Sequence, residues 1–300
     1  MSDNTVHISI CVCTYRRPEL LKRLLTALSL LETESLFSFS VVIADNDYQQ
    51  SAKQLVSEFV SGSSMDIQYC VEPRKSISYA RNKSLEYAKG DAIAFIDDDE
   101  VPTKHWLFHL AKALTDYNAA GVFGPVKPHF DSKPPAWLIK GRFYERPEHE
   151  TGFIMPWREC RTGNVLFDKR IIEGMDTVFS PEFGAGASDI DLFRRLIDKG
   201  HKFNWCNEAV VYEIVSPNRW KRAFMIKRAL LRGRLSLLHS EGRWIGIFKS
   251  LVAVPLYGFS LPFLQVFGHH FFMKYLIKLC DHLGKMLALV KLNPVREREM

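Results

Sequence analysis

Residues 77–102 read ISYARNKSLEYAKGDAIAFIDDDEVP. A helix-patterned segment, Ile77 to Lys89, leads into the short apolar run from Asp91 to Ile96. Gly90 precedes that run and charge follows it, so it reads as a buried strand of a parallel sheet. In open α/β sheets ligands collect at the carboxyl ends of the strands. Four consecutive carboxylates, Asp97 to Glu100, stand at that end. Hard oxygen donors grouped in this way suit Mn2+ or Mg2+, which keep several waters and share their coordination with substrate phosphates. A solvated acidic turn is the plain alternative; the flanking strand and helix favour a site.

Outward from this stretch, strands and helices alternate. Ile8 to Cys13 reads as a strand and Pro18 opens a helix through Leu31, with proline in the first turn where its missing N–H costs nothing. A strand from Phe39 to Ala44, a helix from Ser51 to Val60 and a strand from Ile67 to Val71 follow. A further helix to about Asp116 and a strand over Gly121–Val126 come after the acidic run. The pattern predicts an α/β fold with a doubly wound, mostly parallel sheet and helices on both faces. Regularity fails between Lys127 and Cys160, where Pro128, Pro134, Pro135, Pro147 and Pro156 follow Pro125, and this stretch is expected to be a substrate-side loop.

Composition bounds the rest. Three hundred residues, 47% hydrophobic and 25% charged, fit one large α/β domain plus an appendage. The six cysteines form no CxxC pair and fall within apolar patterns, as reduced core cysteines do. The N-terminus shows neither the basic n-region nor the apolar core of a secretory leader, so the catalytic domain is expected to stay in the cytoplasm. The net charge of +6 is concentrated in the C-terminal third. Nucleic-acid binding is the obvious use of such charge, but the basic stretch adjoins the longest apolar run and shows no recognisable module. A nucleotidyltransferase would need a glycine-rich phosphate loop after the first strand, and Thr14-Tyr-Arg-Arg-Pro-Glu is not one.

Five segments together carry a family resemblance: ISICVCTYRRPELLKRLLTAL near the start, VVIADND at 41–47, the acidic block, TGNVLFDKR at 162–170 and ASDIDLFRRLIDKGHKFNW at 187–205. In this order, over roughly residues 7–235, the chain resembles the family 2 inverting glycosyltransferases. The resemblance implies a glycosyltransferase-A fold, a nucleotide-sugar half (about 1–126), an acceptor half (about 127–235) and a divalent metal, Mn2+ or Mg2+. Thr14, Tyr15 and Arg17 match the place where the family cradles base and phosphates; a hydroxyl, a ring and a cation suit that task. Asp45 matches the carboxylate that accepts from the uracil ring, which implies a UDP-sugar; a turn-capping Asp is the plain alternative. Arg81 and Asn82 stand where a cation faces the nucleotide. Asp97 or Asp98 would meet the ribose. Asp97 and Asp99 would ligate the metal with Glu213, which occupies a position where many relatives carry His; pairing of Glu213 with an arginine is the competing reading.

Asp189 matches the family's catalytic base, at a helix start where an N-cap reading also holds. Glycines 184 and 186 permit a close backbone approach just before it. The family pattern has Glu-Asp here, and this chain has Ser188-Asp189. That departure keeps a second function open: a catalytically weak, membrane-bound scaffold or binding subunit of the same fold.

Residues 236–300 are expected to associate with a membrane. Seven basic residues lie between Arg219 and Arg234, and Ser250 to Met273 contains no charged residue, enough at about 1.5 Å per helical residue for a core of about 30 Å. Pro255 and Pro262 interrupt the run, and Lys and Arg flank both ends, including Lys274, Lys278, Lys285, Lys291, Arg296 and Arg298. Both flanks therefore belong on the cytoplasmic side. Lys274, Lys278, Asp281 and Lys285 also line one face of a following helix. A broken, shallow or re-entrant anchor on the inner leaflet is expected, with one full span as the second choice and a soluble helical core as the third. The expected acceptor is a saccharide or a lipid-linked saccharide, the latter resting on this membrane-facing region.

Overall fold

The computed structural model describes residues 6–183, 186–237 and 243–292; Gly184, Arg296 and Arg298 lie outside them. The chain divides into two compact units, Met1–His129 with Arg146–Ile214, and Phe130–Glu145 with Val215–Met300. Residues 215–235, read from sequence with the catalytic part, belong to the second.

In the first unit, β1 (Val6–Thr14), β2 (Phe37–Asp45), β3 (Ile67–Val71) and β4 (Ala92–Ile96) are parallel. β6 (Gly121–Phe123), β8 (Asn164–Asp168) and β9 (Phe203–Trp205) complete a seven-stranded sheet of order β3-β2-β1-β4-β8-β6-β9, in which β8 alone runs antiparallel to its neighbours. A smaller sheet has the order β5 (Glu100–Pro102), β10 (Val211–Ile214), β7 (Val126–His129).

The large sheet is covered on both faces, which is why its strands read as continuous apolar runs. Alternate residues divide between two cores. Ile8, Ile10 and Val12, with Val41, Ile43, Ala94 and Ile96, pack under α1 (Pro18–Leu28), α2 (Lys53–Gly62) and α4 (Trp106–Asp116). Cys11, Val42, Ala44, Ile93 and Phe95 face the other way, toward α3 (Ile77–Tyr87) and α6 (Ser188–Asp198). All six cysteines are free thiols, and burial pushes Cys11 up to about 12.

The single strand expected over Gly121–Val126 is two strands in different sheets. The break falls at Gly124 and Pro125. Pro125 has no N–H to donate to a ladder, and a Cβ at Gly124 would meet the Ala209 carbonyl oxygen at 2.3 Å. The irregular segment after it holds β7 and a short helix, α5 (Ala136–Lys140), which belongs to the second unit.

The second unit is helical. α7 (Arg222–Leu235) is followed by α8 (Arg243–Val266) and α9 (His269–Leu289). The uncharged run 250–273 is thus shared between two helices, divided at Gly268, whose φ of 122° breaks the helix. Trp244–Val266 is long and apolar enough to cross a membrane by length and composition.

Candidate active site

β4 is buried along its whole length, and its exit is where the chain changes character. Asp97, Asp98 and Asp99 form the turn, and Glu100 starts β5, where it pairs across the ladder with Glu213 of β10. Asp98, Glu100 and Glu213 are each less than one-tenth exposed. The backbone is fixed here by the Ile214 N–H, which donates to the Asp99 carbonyl at 2.7 Å. Gly163 lets a neighbouring loop approach these acids: a Cβ there would stand 2.6 Å from Glu100 Oε1 and 3.2 Å from Asp97 Oδ2.

Carboxylates crowded in a desolvated place resist ionisation. Burial raises Asp97 and Asp98 above the usual range. Asp99 is pushed up to about 7, first by burial and then by the charges of Asp97, Asp98 and Glu213. Glu100 is raised well above its ordinary value by burial, with Asp97 adding to it. Its Oε2 accepts from the Asp97 N–H at 3.0 Å, and its Oε1 is buried with no hydrogen-bond partner.

Three arginines offset this charge. Arg17, just past β1, donates from Nη1 to Asp98 Oδ1 at 3.2 Å and to Asp99 Oδ2 at 3.3 Å. The Thr14 hydroxyl donates to the other Asp98 oxygen at 2.8 Å. Arg146 donates from Nη2 to Glu213 Oε2 at 2.8 Å and also attracts Asp97 and Glu100. Arg81, buried on α3, lowers Asp97 by its charge and donates from Nη1 to the Ser188 hydroxyl at 3.1 Å. Its guanidinium also lies 5.4 Å from the centre of the Phe179 ring.

Asp189 enters this network from α6. The chain reaches the helix through Ala187 in the left-handed region (φ 77°), and Ser188 and Asp189 are buried in its first turn. Asp189 Oδ1 accepts from the Ile190 N–H at 2.9 Å. Its charge contributes to the upward shift of Asp97, so the two carboxylates lie within electrostatic reach of each other.

The structure therefore brings together Thr14, Arg17, Arg81, Asp97, Asp98, Asp99, Asp189 and Glu213. It places Asp45 and Asn82 otherwise. Asp45 is fully buried; its oxygens accept from the N–H groups of Asp47 and Ala52 and from the Tyr69 hydroxyl, closing the turn after β2. Asn82 clamps the Phe179 backbone, donating to its carbonyl at 2.8 Å and accepting from its N–H at 2.9 Å. Both side chains do local structural work, and no polar atom of Asp45 reaches the surface. Tyr15 is half-buried, with the Arg16 guanidinium 5.2 Å from its ring centre.

Two contributors were not assigned a role from sequence. Glu100 is part of the quoted acidic run, but nothing in the spacing says that it points inward. Arg146 lies in the proline-rich stretch, where no periodicity indicates which side chain turns back toward the sheet.

The donor set fits a divalent cation. Asp97 and Asp99 supply hard oxygens whose ionisation burial opposes and a cation would favour, and Glu100 Oε1 is buried without a hydrogen-bond partner. Asp97, Asp99 and Glu213 do not form a closed three-ligand cluster. Among the described residues such a cluster is formed by the exposed side chains Glu32, Glu34 and His105. An open arrangement is what Mn2+ or Mg2+ needs when phosphates complete its shell.

Residues 9–168 match the family model "Glycosyl transferase family 2". The chain is 36% identical over 238 residues to the succinoglycan biosynthesis protein ExoM of Rhizobium meliloti (strain 1021), covering 78% of this chain and 75% of that protein. The mannosyltransferase PcManGT from Pyrobaculum calidifontis, solved with GDP-Man and Mn2+, superposes with a TM-score of 0.59 at 15% identity, covering 96% of this chain and 74% of that one. S. aureus TarS 1-349, solved with UDP-GlcNAc, gives 0.55 at 14% identity over 96% of this chain and 93% of that one. These structures share the fold, and the sequence matches decide the family: the chain belongs to glycosyl transferase family 2.

Proposed function

We propose that the protein transfers a hexosyl group from a UDP-sugar to a saccharide, carried on a lipid, with inversion at the anomeric carbon, in the synthesis of a polysaccharide or glycan. The observation that carries this reading is the single charge network joining the Asp97–Glu100 turn, Arg17, Arg81 and Asp189.

Asp189 takes the proton of an acceptor hydroxyl as that oxygen forms its bond to the anomeric carbon. The bond from that carbon to the diphosphate breaks on the opposite face, and its electron pair leaves with the nucleotide. As a general base the Asp189 carboxylate works by position, held in the first turn of α6. Arg17 and Arg81 lie where cations neutralise the charge growing on the diphosphate. Asp98, oriented by Thr14 and Arg17, faces the ribose, and Tyr15 offers a ring for the base. Asp45 acts indirectly by fixing the turn after β2. Mn2+ or Mg2+, held by Asp99 with Asp97 and Glu213, would neutralise the diphosphate.

The relative named for succinoglycan biosynthesis supports a glycan product, and the apolar helix α8 supports a lipid-borne acceptor on the cytoplasmic face of the membrane. Ser188 favours a second reading, a catalytically weak scaffold or binding subunit, because a serine hydrogen-bonded to Arg81 stands in place of the family's acid. A panel of UDP-sugars separates the two. Slow donor hydrolysis that Asp189→Asn abolishes, and a product of inverted anomeric configuration by NMR, support the transferase. Nucleotide binding without any turnover supports the scaffold.

A further inference from the structure

The second unit is strongly polarised. From Val215 to Met300 it has fifteen Lys and Arg against four Asp and Glu, so the rest of the chain is net acidic although the whole is +6. α8 carries an exposed apolar surface on which Trp244, Phe248, Leu251, Val252, Leu256, Phe259, Phe263 and Val266 are each more than half exposed.

α8 does not stand alone. Ile247 and Ser250 are buried, and Val254, Tyr257, Leu261 and Leu264 are half-buried, at the three-and-four spacing of one helix face. That face lies on α9. Ser250 Oγ is 2.9 Å from His282 Nδ1, and the Tyr257 ring meets both Tyr275 and His282. The pairing order runs oppositely along the two helices, so they form an antiparallel hairpin turned at Gly268.

α9 is in turn held by α7. Added Cβ atoms at Gly233 and Gly284 would fall 2.0 and 2.1 Å from the backbone oxygens of Asp281 and Leu230, which is direct contact of the two helix backbones. Arg232 donates to both Asp281 oxygens across the same seam.

These contacts oppose a crossing. If α8 spanned a bilayer while packed on α9, then α9 would carry Lys274, Lys278, Asp281 and Lys285 into the hydrocarbon and would have to leave α7. The prolines agree. Pro255 and Pro262 are seven residues apart on the exposed side, and neither can donate to the carbonyl four residues earlier. Leu251 and Gly258, which carry those carbonyls, are exposed, so water or headgroups can satisfy them.

We propose that the α8–α9 hairpin lies in the plane of an anionic leaflet, with the outer face of α8 on the acyl chains and the basic side chains of the unit among the headgroups. Lys221 at the N-cap of α7, Arg222, Lys227 and Arg228 on α7, Lys249 on α8, and Lys274 and Lys278 on α9 are exposed and supply the charge complementarity. This rests on the membrane part of the reading above and not on the transfer chemistry.

The test uses the full chain and vesicles of phosphatidylcholine with or without about 30% phosphatidylglycerol, a fraction large enough for the electrostatic attraction to register. Flotation should require the anionic lipid, and Lys221→Glu with Arg222→Glu should reduce it several-fold. Bimane placed at Phe248→Cys, Phe259→Cys and Val266→Cys, with the native thiols buried or half-buried, reports depth through shallow and deep spin-labelled lipids. The outer sites are separated by about 27 Å along the helix. In-plane binding gives three similar, shallow depths. A graded series with one site at the bilayer centre would overturn the proposal in favour of a span. Absence of flotation together with a concentration-dependent dimer would overturn it in favour of a second copy covering α8. None of these readouts depends on turnover.

Discussion

Arg146 donates to Glu213 at 2.8 Å from a stretch that sequence alone leaves irregular, and the same guanidinium attracts Asp97 and Glu100. One side chain from the proline-rich segment therefore balances three acids. Removing one partner of a buried pair leaves the other uncompensated. Arg146 is about one-third exposed, so Arg146→Ala is expected to cost about 2 kcal/mol at neutral pH, below the usual 3–5 for a fully buried pair. Thermal melts with and without Mn2+ check this, and the deficit should shrink when Mn2+ is added.

The Asp99 carboxyl gives a pH dependence. Its folded pKa of about 7 lies above the ordinary value of 3.8. The stabilisation this implies is complete below the ordinary value and is lost as pH rises through about 7. The metal-free protein should therefore lose stability between about pH 4 and pH 7, while a cation binds better as the carboxyl ionises. The rise in melting temperature on adding Mn2+ is expected to grow from pH 6 to pH 8, and a rise that does not change with pH would count against Asp99 as a ligand.

Asp189 and Ser188 sit side by side and should separate cleanly. Asp189→Asn is expected to lower kcat by about 10^2 to 10^4, the usual worth of a general base. Ser188→Ala removes one hydrogen bond to Arg81 and is expected to cost about 1 kcal/mol of stability, with kcat within tenfold of the parent. Equal losses in kcat would mean that Arg81 needs Ser188 to meet the donor.

Asp45 and Asn82 should behave as structural residues. Asp45→Ala leaves two N–H groups and the Tyr69 hydroxyl without their acceptor, and Asn82→Ala frees both polar groups of Phe179; each is expected to cost about 1–3 kcal/mol. Nucleotide affinity of the folded fraction should change less than threefold. A tenfold loss for Asp45→Ala without loss of stability would return it to the base-binding role that the family resemblance implies.

Much of the fold was legible because the central strands are buried on both faces and so read as short apolar runs; Ala92–Ile96 starts one residue inside the run read from Asp91, and the edge strand Ile67–Val71 has the predicted bounds. The acidic turn was legible for the same reason, since charge straight after such a run marks the strand's end. What could not be read depends on contacts distant in sequence. At the strand break, Gly124 lies against the Ala209 carbonyl, 85 residues later, where a Cβ would stand 2.3 Å away. The inward turn of Asp45 depends on Tyr69, and the destination of Arg146 on Glu213, 67 residues later. In the C-terminal third, composition showed apolar length, but the contacts of Ser250 with His282 and of Tyr257 with Tyr275 show that α8 folds back on α9.

Calorimetric binding of UDP, GDP and TDP to the detergent-purified full chain, with and without Mn2+, in the parent and in Asp99→Ala, tests the central claim most directly. The account predicts tight UDP binding that requires Mn2+ and is lost in Asp99→Ala. Absence of nucleotide binding under every condition, or UDP binding indifferent to both Mn2+ and the substitution, would contradict it.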